Sequence, residues 1–146
     1  MNEKGFSLLE LMVSVAIVGI LASLASRSYI DSISKTQMVD VVNGLATLKA
    51  EVFYNLTGGA CRDTDTTKNT IQTTYGHVQV TGFPPENIGS SVEQYGTGCL
   101  LTYQFNNDGV SPKLAGAKYL VYLRDDGTYI YNWTNIDKKY IPVSLR

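Results

Sequence analysis

Cys61 and Cys99 are the only cysteines in the chain, and His77 is its only histidine. Two thiols and one imidazole do not have the spacing of a metal site, and a nucleophilic cysteine beside His77 would need a third group that the sequence does not nominate. In an oxidising compartment, an isolated pair of cysteines favours a disulfide. That bond would close a loop of about 38 residues and stabilise the fold by about 3 to 4 kcal/mol through chain entropy. His77 is then an ordinary strand residue.

The remaining clusters of charge favour turns and solvated surface over chemistry. The aspartates lack the spacing of a calcium loop, and the two that precede a glycine, Asp108 and Asp126, are typical of turns. A basic cluster beside Tyr140 could contact nucleic-acid phosphates, but a solvated face is the simpler interpretation. We therefore expect no metal ion, no cofactor and no catalytic residue. The residues in these two groups are Asp108, Asp125, Asp126, Asp137, Lys138, Lys139 and Arg146.

One carboxylate, that of Glu10, lies within twenty residues, Phe6 to Ala25, that are otherwise apolar or small. An ionised acid in the middle of a membrane helix costs roughly 2.5 to 3.5 kcal/mol, and less toward the helix ends. Such residues are functional by default. Either the side chain of Glu10 reaches back to the lipid headgroups, or it pairs with a cation in the same apolar layer.

The apolar run predicts a membrane anchor. About 20 residues is the length that a helix needs to cross the hydrocarbon core, and it exceeds the apolar region of a typical signal peptide. Lys4 and the terminal amine precede the run, which favours a cytoplasmic start. Arg27 follows it directly and is expected to lie at the membrane surface.

The helical pattern continues beyond the anchor. Apolar residues recur every three or four positions from Ile30 to Val52, with polar residues largely between them, as in an amphipathic helix. One helix is therefore expected from about Phe6 to Tyr54, on the order of 70 Å long. Gly58 and Gly59 can adopt the left-handed conformation that ends it. Its first half should project from any compact head.

Short runs of β-forming residues follow a polar loop at residues 60–69. Asp126 and Gly127 lie between two alternating runs and both tolerate positive φ, which is the strongest short signal for a hairpin. The sequence predicts an α+β fold in which the long helix packs on a small antiparallel sheet. The predicted strands are His77–Thr81, Leu100–Phe105, Tyr119–Arg124 and Thr128–Trp133.

Length and composition are those of one folded domain. The chain has 146 residues, of which 44% are hydrophobic and 17% charged. Its formal net charge of -1 gives no bulk electrostatic reason to bind nucleic acid or an anionic membrane surface. No set of acid, base and nucleophile emerges, so an anchored enzyme is disfavoured.

The segment GFSLLELMVSVAIVGILA, residues 5–22, resembles the N-terminal signature of the type IV pilin family. The resemblance lies in a short leader ending in Gly, then Phe, a small hydroxyl residue, two aliphatic residues, Glu and an unbroken apolar helix. It implies that a prepilin peptidase cuts between Gly5 and Phe6 and methylates the new amine of Phe6. It also implies that Glu10 neutralises the Phe6 amine of a neighbouring subunit in the filament core. That amine would supply the missing cation.

The C-terminal segment WTNIDKKYIPVSLR is similar to the pilin ending but lacks both cysteines of that ending's disulfide-closed loop. Lys139, Tyr140 and Pro142 match, whereas Leu145 stands where the family has the last cysteine of a disulfide-closed loop. Arg27 is a second departure, because the family commonly has a helix-bending proline there. Both departures would fit a minor pilin as well as a main filament subunit.

The resemblance implies three segments: a cleaved leader at residues 1–5, a transmembrane and polymerisation helix at 6–27, and a periplasmic or surface pilin head at 28–146. The expected function is that of a structural subunit, not an enzyme. Its expected partners are other pilins, the prepilin peptidase and the pilus assembly machinery of the inner membrane. The precursor would span the inner membrane once before it enters an extracellular pilus. A minor pilin, a DNA-binding pilin and a pseudopilin of type II secretion are the alternatives.

Overall fold

The computed structural model describes residues 5–82 and 96–145. One long helix precedes an antiparallel sheet of five strands, and two single-turn 3-10 helices lie at Thr66–Asn69 and Val143–Leu145. This is the predicted α+β fold. The main elements are α1 (Leu8–Leu56), β1 (Thr70–Gln72), β2 (Gly76–Gly82), β3 (Cys99–Phe105), β4 (Lys118–Leu123) and β5 (Tyr129–Thr134).

Helix α1 begins and ends within two residues of the predicted positions. Ser7 caps its start, where the serine side chain accepts a hydrogen bond from the Glu10 N–H. At its end Gly59 has φ 81°, and the Ala60 N–H bonds to the Asn55 carbonyl. This is the Schellman arrangement, in which a glycine in the left-handed region lets the chain turn back over the last helical turn. The predicted glycine stop is confirmed at Gly59.

The five strands are hydrogen-bonded in sequence order, β1 to β5, and every neighbouring pair is antiparallel. The four predicted strands are confirmed to within one residue at each end. Strand β1 was not predicted, because a run of three residues is too short to show an alternating pattern. It pairs with β2 and forms one edge of the sheet.

The turn between β4 and β5 contains the predicted Asp126 and Gly127. Gly127 has φ 80°, but Asp126 has no positive φ. The Gly127 N–H bonds to the Arg124 carbonyl at 3.0 Å, and the Arg124 N–H bonds to the Thr128 carbonyl at 2.9 Å. These bonds enclose three residues, as in a type I turn followed by a left-handed glycine. The predicted hairpin is confirmed, and of the two residues that tolerate positive φ only Gly127 adopts it.

The core lies between the second half of α1 and one face of the sheet. Val78, Tyr103 and Tyr119 are cross-strand neighbours on that face, and all three are fully buried. Gly44 allows the helix to approach closely, since a Cβ there would lie 3.1 Å from Thr73 Cγ2 and 3.4 Å from the Tyr103 ring. The helix contributes Met38, Val41, Leu45, Leu48 and Val52 to this core.

Cys61 and Cys99 form the predicted disulfide. Their Cα atoms are 5.4 Å apart, and both side chains are buried. The bond joins the loop after α1 to the first residue of β3. It therefore ties the end of the helix to the middle of the sheet.

Candidate functional site

The first half of α1 projects from the head and is exposed throughout. Residues 5–29 are all exposed, and large apolar side chains such as Phe6 and Leu24 are 79% and 63% accessible. An 18-residue window of this helix has a mean hydropathy of 2.4, which is enough for a membrane span. Exposed apolar surface of this extent indicates a partner, either lipid or other protein.

The bond between Gly5 and Phe6 lies just before the helix. Ser7, the capping residue, has extended φ and ψ of -75° and 147°, so Gly5 and Phe6 belong to the segment that leads into the helix. No heavy atom beyond the chain neighbours lies within 4 Å of a Cβ built on Gly5. A protease can therefore approach this bond without unwinding the helix. Cleavage here remains a prediction from the sequence.

Glu10 is the third residue of α1. Its backbone N–H donates to Ser7 Oγ at 3.2 Å, and a carboxylate in the first turn is favoured by the positive end of the helix dipole. Within the described residues, Glu10 forms no ion pair. A cation for its carboxylate must therefore come from outside the described residues or from another molecule.

The other polar side chains of the apolar half are satisfied by the helix itself. Ser14, Ser23 and Ser26 each donate to a backbone carbonyl three or four residues earlier, at 2.8, 2.8 and 3.0 Å. Such bonds remove the cost of carrying a hydroxyl into an apolar environment. Glu10 is thus the one side chain from Phe6 to Ala25 whose charge the helix leaves unmatched.

Arg27 does not interrupt α1. The helix runs continuously from Leu8 to Leu56, and Arg27 is exposed on it. An arginine retains the backbone N–H and the hydrogen bond that a proline would remove. The departure from the pilin pattern therefore leaves the helix unbroken where the family commonly bends it.

The basic cluster near the C-terminus is partly engaged with the helix. The Tyr140 hydroxyl donates to Asp31 Oδ1 at 2.6 Å, and Lys139 Nζ lies 3.2 Å from Asp31 Oδ2 and 4.6 Å from the Tyr140 ring centroid. The bond from Tyr140 and the charge of Lys139 lower the pKa of Asp31. Tyr140 is buried, so its ring is not available to stack on a nucleotide base. The third basic residue of the cluster, Arg146, lies outside the described residues.

Leu145 holds the C-terminal segment in place without a cysteine. Its side chain is 3% exposed and belongs to the core, as do those of Tyr140 and Ile141. The Tyr119 hydroxyl donates to the Leu145 carbonyl. The missing cysteine is visible in the sequence, but this anchoring is not, since no local pattern indicates that Tyr119 contacts Leu145.

Two further residues that sequence analysis did not assign to a role, Asp31 and Asp40, join the helix to the head. Asp40 Oδ2 accepts hydrogen bonds from the Tyr103 hydroxyl at 2.7 Å and from the Tyr75 N–H at 2.9 Å. Burial raises the pKa of Asp40, but these bonds outweigh it and the net shift is downward. The sequence pattern had placed both aspartates among the polar residues between the apolar positions.

The remaining predicted positions take structural roles. His77 lies within β2, while Gly109 and Gly127 adopt the positive φ expected of turns. Within residues 5–82 and 96–145, no group of three or more His, Cys, Asp or Glu side chains is arranged to hold a metal ion.

Comparisons with known proteins match nearly the whole chain. Residues 1–26 match the prokaryotic N-terminal methylation motif, and residues 34–146 match the family described as pilin (bacterial filament). The chain is 28% identical to the type IV major fimbrial protein FimA of Dichelobacter nodosus, over 99% of the chain and 96% of that protein. It is 31% identical to a fimbrial protein of Moraxella nonliquefaciens, over 99% of the chain and 97% of that protein.

Proposed function

Because the chain belongs to the type IV pilin family, we propose that it is inserted in the inner membrane as a precursor, cut after Gly5 and assembled through α1 into a surface pilus. It is a structural subunit of that filament. In this proposal residues 1–5 are the cleaved leader, 6–27 the transmembrane and polymerisation helix, and 28–146 the head. The partners are other pilins, a prepilin peptidase and the inner-membrane assembly machinery.

The observation that carries the proposal is the uncovered first half of α1. It is apolar, fully exposed and charged only at Glu10 from Phe6 to Ala25. Lipid covers this surface before assembly, and the helices of other subunits cover it afterwards. The same residues therefore contact lipid before assembly and other subunits afterwards. Neither contact requires the head of the same chain.

Glu10 favours the assembled filament over subunits dispersed in the membrane. Cleavage after Gly5 creates an amine on Phe6, which is then methylated and keeps its positive charge. When Glu10 of one subunit meets the Phe6 amine of another, two opposite charges leave the lipid together and the cost of each is reduced. A dispersed subunit lacks this intermolecular pair, so pairing favours assembly.

The presence of Leu145 in place of the family's cysteine is consistent with a role as a pilus subunit. The C-terminal segment is anchored by burial of Leu145 and by the bond from Tyr140 to Asp31. Packing thus performs the task that a disulfide-closed loop performs in the family. A main filament subunit remains compatible with this sequence.

Replacing Glu10 tests the proposal. Glu10→Leu would leave the Phe6 amine unpaired in an apolar core, and breaking one side of a buried pair typically costs about 3 to 5 kcal/mol. We expect normal membrane insertion and normal cleavage, but few or no filaments by electron microscopy and in sheared fractions. Glu10→Gln, which keeps the shape without the charge, should give an intermediate yield.

Membrane levels of mature protein must equal the wild-type level for the comparison to count. If Glu10 only reached the headgroups, Glu10→Leu would make the helix a better span and filament yield would not fall. Normal filaments from Glu10→Leu would therefore end the pairing proposal.

A further inference from the structure

The C-terminal segment of the head, residues 137–145, contacts α1 close to the end of its apolar run. The Tyr140 hydroxyl donates to Asp31 at 2.6 Å, and Asp31 follows Ala25, the last residue of that run, by six positions. Six residues of helix span about 9 Å. Each headgroup layer of a bilayer is about 5 to 8 Å thick. When the apolar run crosses the hydrocarbon core, Tyr140 therefore lies at the outer limit of the headgroups.

Two side chains near this level expose apolar surface that the head leaves uncovered. Tyr29 on α1 is 68% accessible, and Val143, at 82%, is the most accessible large hydrophobic side chain of the described residues. Val143 follows Tyr140 by three positions, so their Cα atoms lie within about 11 Å of each other. Aromatic residues are enriched at headgroup depth, and exposed apolar side chains there strengthen binding to a bilayer. Both side chains thus lie near the headgroup layer.

The two ends of the sheet meet α1 at different distances from the membrane. The Ser111 hydroxyl, in the loop between β3 and β4, shares a hydrogen bond of 2.7 Å with Ser34. The turn between β4 and β5 meets α1 at Lys49, whose Nζ donates to the Gly127 carbonyl at 3.1 Å. About 22 Å of helix separates Ser34 from Lys49. We call the side with the β3–β4 loop and the C-terminal segment the membrane end of the head, and the side with the β4–β5 turn the far end.

The described charges outside α1, taken with Arg27 and Asp31, divide unequally between these two ends. The membrane end has five cations and three acids, a balance of +2, whereas the far end has three cations and four acids, a balance of -1. The cations of the membrane end are Arg27, Lys113, Lys118, Lys138 and Lys139. Its acids are Asp31, Asp108 and Asp137. The far end has Arg62, Lys68 and Arg124 with Asp63, Asp65, Asp125 and Asp126.

Lys113 belongs to the same surface as Asp31. The bond from Tyr140 lowers the pKa of Asp31 most, Lys139 adds to this through its bond and its charge, and the charge of Lys113 contributes from farther away. Within the described residues, Lys113 forms no ion pair of its own. A cation of this kind, close to the headgroups, is placed to attract an anionic lipid.

We propose that the membrane end of the head binds the surface of an anionic phospholipid bilayer, with Tyr29 and Val143 in contact with lipid and Lys113 near its phosphates. This inference rests on the membrane-spanning precursor of the proposed function. The surface is continuous with the span, because Arg27 and Tyr29 directly follow the apolar run on the same helix. It gives the precursor a second contact with the bilayer, one that holds the head in a fixed orientation and breaks when the subunit enters a filament.

Photochemical crosslinking of the full chain in vesicles tests this contact. Val143→p-benzoylphenylalanine places a photoreactive group at the exposed position, in vesicles of phosphatidylglycerol and phosphatidylcholine. Illumination should attach phospholipid to the peptide that contains position 143, as detected by mass spectrometry. Tyr54→p-benzoylphenylalanine is the matched control, because Tyr54 is 73% accessible and lies about 35 Å beyond Asp31 along α1. It should give almost no lipid adduct.

A yield at Val143 no greater than the yield at Tyr54 would overturn the proposal. Attachment of the Val143 probe to another copy of the chain in place of lipid would overturn it too, by assigning the segment to contact between subunits. Thermal melting equal to that of wild type shows that each variant is folded.

Removal of one cation tests the role of charge. In the chain with the Val143 probe, Lys113→Gln should lower the lipid adduct by up to about fivefold, equivalent to about 1 kcal/mol for one basic residue near an anionic surface. Arg124→Gln removes an exposed cation at the far end and should leave the yield unchanged. Vesicles of phosphatidylcholine alone should give less adduct than the mixed vesicles. Equal yields in the two kinds of vesicle, or from the two variants, would reject an anionic surface as the partner.

A probe within the span separates this inference from the proposed function. Val15→p-benzoylphenylalanine lies in the apolar half of α1 and should attach to lipid in both kinds of vesicle. Attachment at Val15 without attachment at Val143 rejects the contact at the membrane end and leaves the membrane-spanning precursor standing. No attachment at Val15 rejects the span, and with it the contact that rests on the span.

Discussion

Three carboxylates on one helix show how surroundings decide the role of a residue. Glu10 has no cation among the described residues, whereas Asp31 is paired with Lys139 and Asp40 accepts bonds from the sheet. The last two are satisfied inside the monomer and stabilise it. Of these three carboxylates, only Glu10 has no partner for its side chain among the described residues, and this observation supports the proposal that it acts in assembly.

At the residue scale, the identity of Gly5 leads to a prediction about cleavage of the precursor. A peptidase that cuts after glycine needs a residue without a side chain, so Gly5→Leu should leave the full-length precursor in the inner membrane. Mass spectrometry of the membrane fraction checks this. The structure of the helix should not change, because Gly5 precedes the cap at Ser7 and a Cβ there meets no other atoms.

Wild type supplies the comparison for this variant, and its mature chain is expected to begin at a methylated Phe6. A Gly5→Leu chain that still begins at Phe6 would contradict the assignment. A wild-type chain that begins near Ala25 would identify an ordinary secretory signal instead.

At the scale of elements, the polar contact at Asp40 joins α1 to the sheet. Its carboxylate accepts from Tyr103 on β3 and from the backbone just before β2. The contact lies one helical turn from Gly44, where a Cβ would lie 3.4 Å from the ring of the same Tyr103. Apolar packing stabilises the contact between α1 and the sheet, while the hydrogen bonds to Asp40 fix the position of α1 relative to the sheet.

Asp40→Asn should therefore destabilise the head in a pH-dependent way. The pKa of Asp40 is lowered in the folded state from the ordinary value of 3.8, so its stabilisation is present above that value and is lost as pH falls through the folded-state pKa. At pH 7 we expect a free energy of unfolding lower by about 1.5 to 3 kcal/mol, typical of hydrogen bonds to a charged group. Urea unfolding of a fragment from residue 28 measures it.

The difference between Asp40→Asn and wild type should shrink as the pH falls below 3.8. Asp108→Asn alters an exposed turn residue and should unfold as wild type does at both pH values. A difference between Asp40→Asn and wild type that is the same at pH 7 and pH 2.5 would show that charge at Asp40 is not the cause.

At the scale of the whole molecule, two connections join parts of the head that are distant in sequence. The disulfide joins residues 38 positions apart, and the C-terminal segment returns to α1 through Tyr140 and Asp31, 109 positions apart. Neither connection involves the exposed residues 5–29, which leaves them free for lipid or for other subunits.

Removal of the disulfide should weaken the head without altering its assembly surfaces. Cys61→Ala with Cys99→Ala is expected to lower the free energy of unfolding by about 3 to 4 kcal/mol, because the unfolded chain regains the freedom of the closed loop. Alanine adds no unpaired hydroxyl at these buried positions. Urea unfolding of the fragment from residue 28 measures the loss, and reduced wild type should match the variant.

Free thiols in the untreated native fragment would show that Cys61 and Cys99 are not bonded, and would contradict this prediction. Equal stability of the variant and the oxidised wild type would show that the bond contributes nothing. Filament yield at a temperature where both heads are folded should be unchanged.

The sequence by itself determined the features that arise from neighbouring residues. The apolar run and its spacing specified α1 and its membrane-length first half, and Gly59 specified where the helix ends. Alternation around Gly127 specified the last hairpin, and two cysteines in a chain with a membrane anchor specified the disulfide. Each depends on residues close in the chain or on simple pairing, so no knowledge of the packed molecule was required.

Only the tertiary structure decided which way the boundary residues of α1 face. Asp31 and Asp40 lie at the edges of the apolar stripe, where periodicity leaves their direction open. The C-terminal segment binds Asp31, and the sheet with its preceding loop binds Asp40. The contact from Tyr119 to Leu145 joins residues 26 positions apart and has no local signal. Which residues of α1 are exposed within the head was likewise decided by packing against the sheet, because exposure depends on tertiary contacts and not on sequence order.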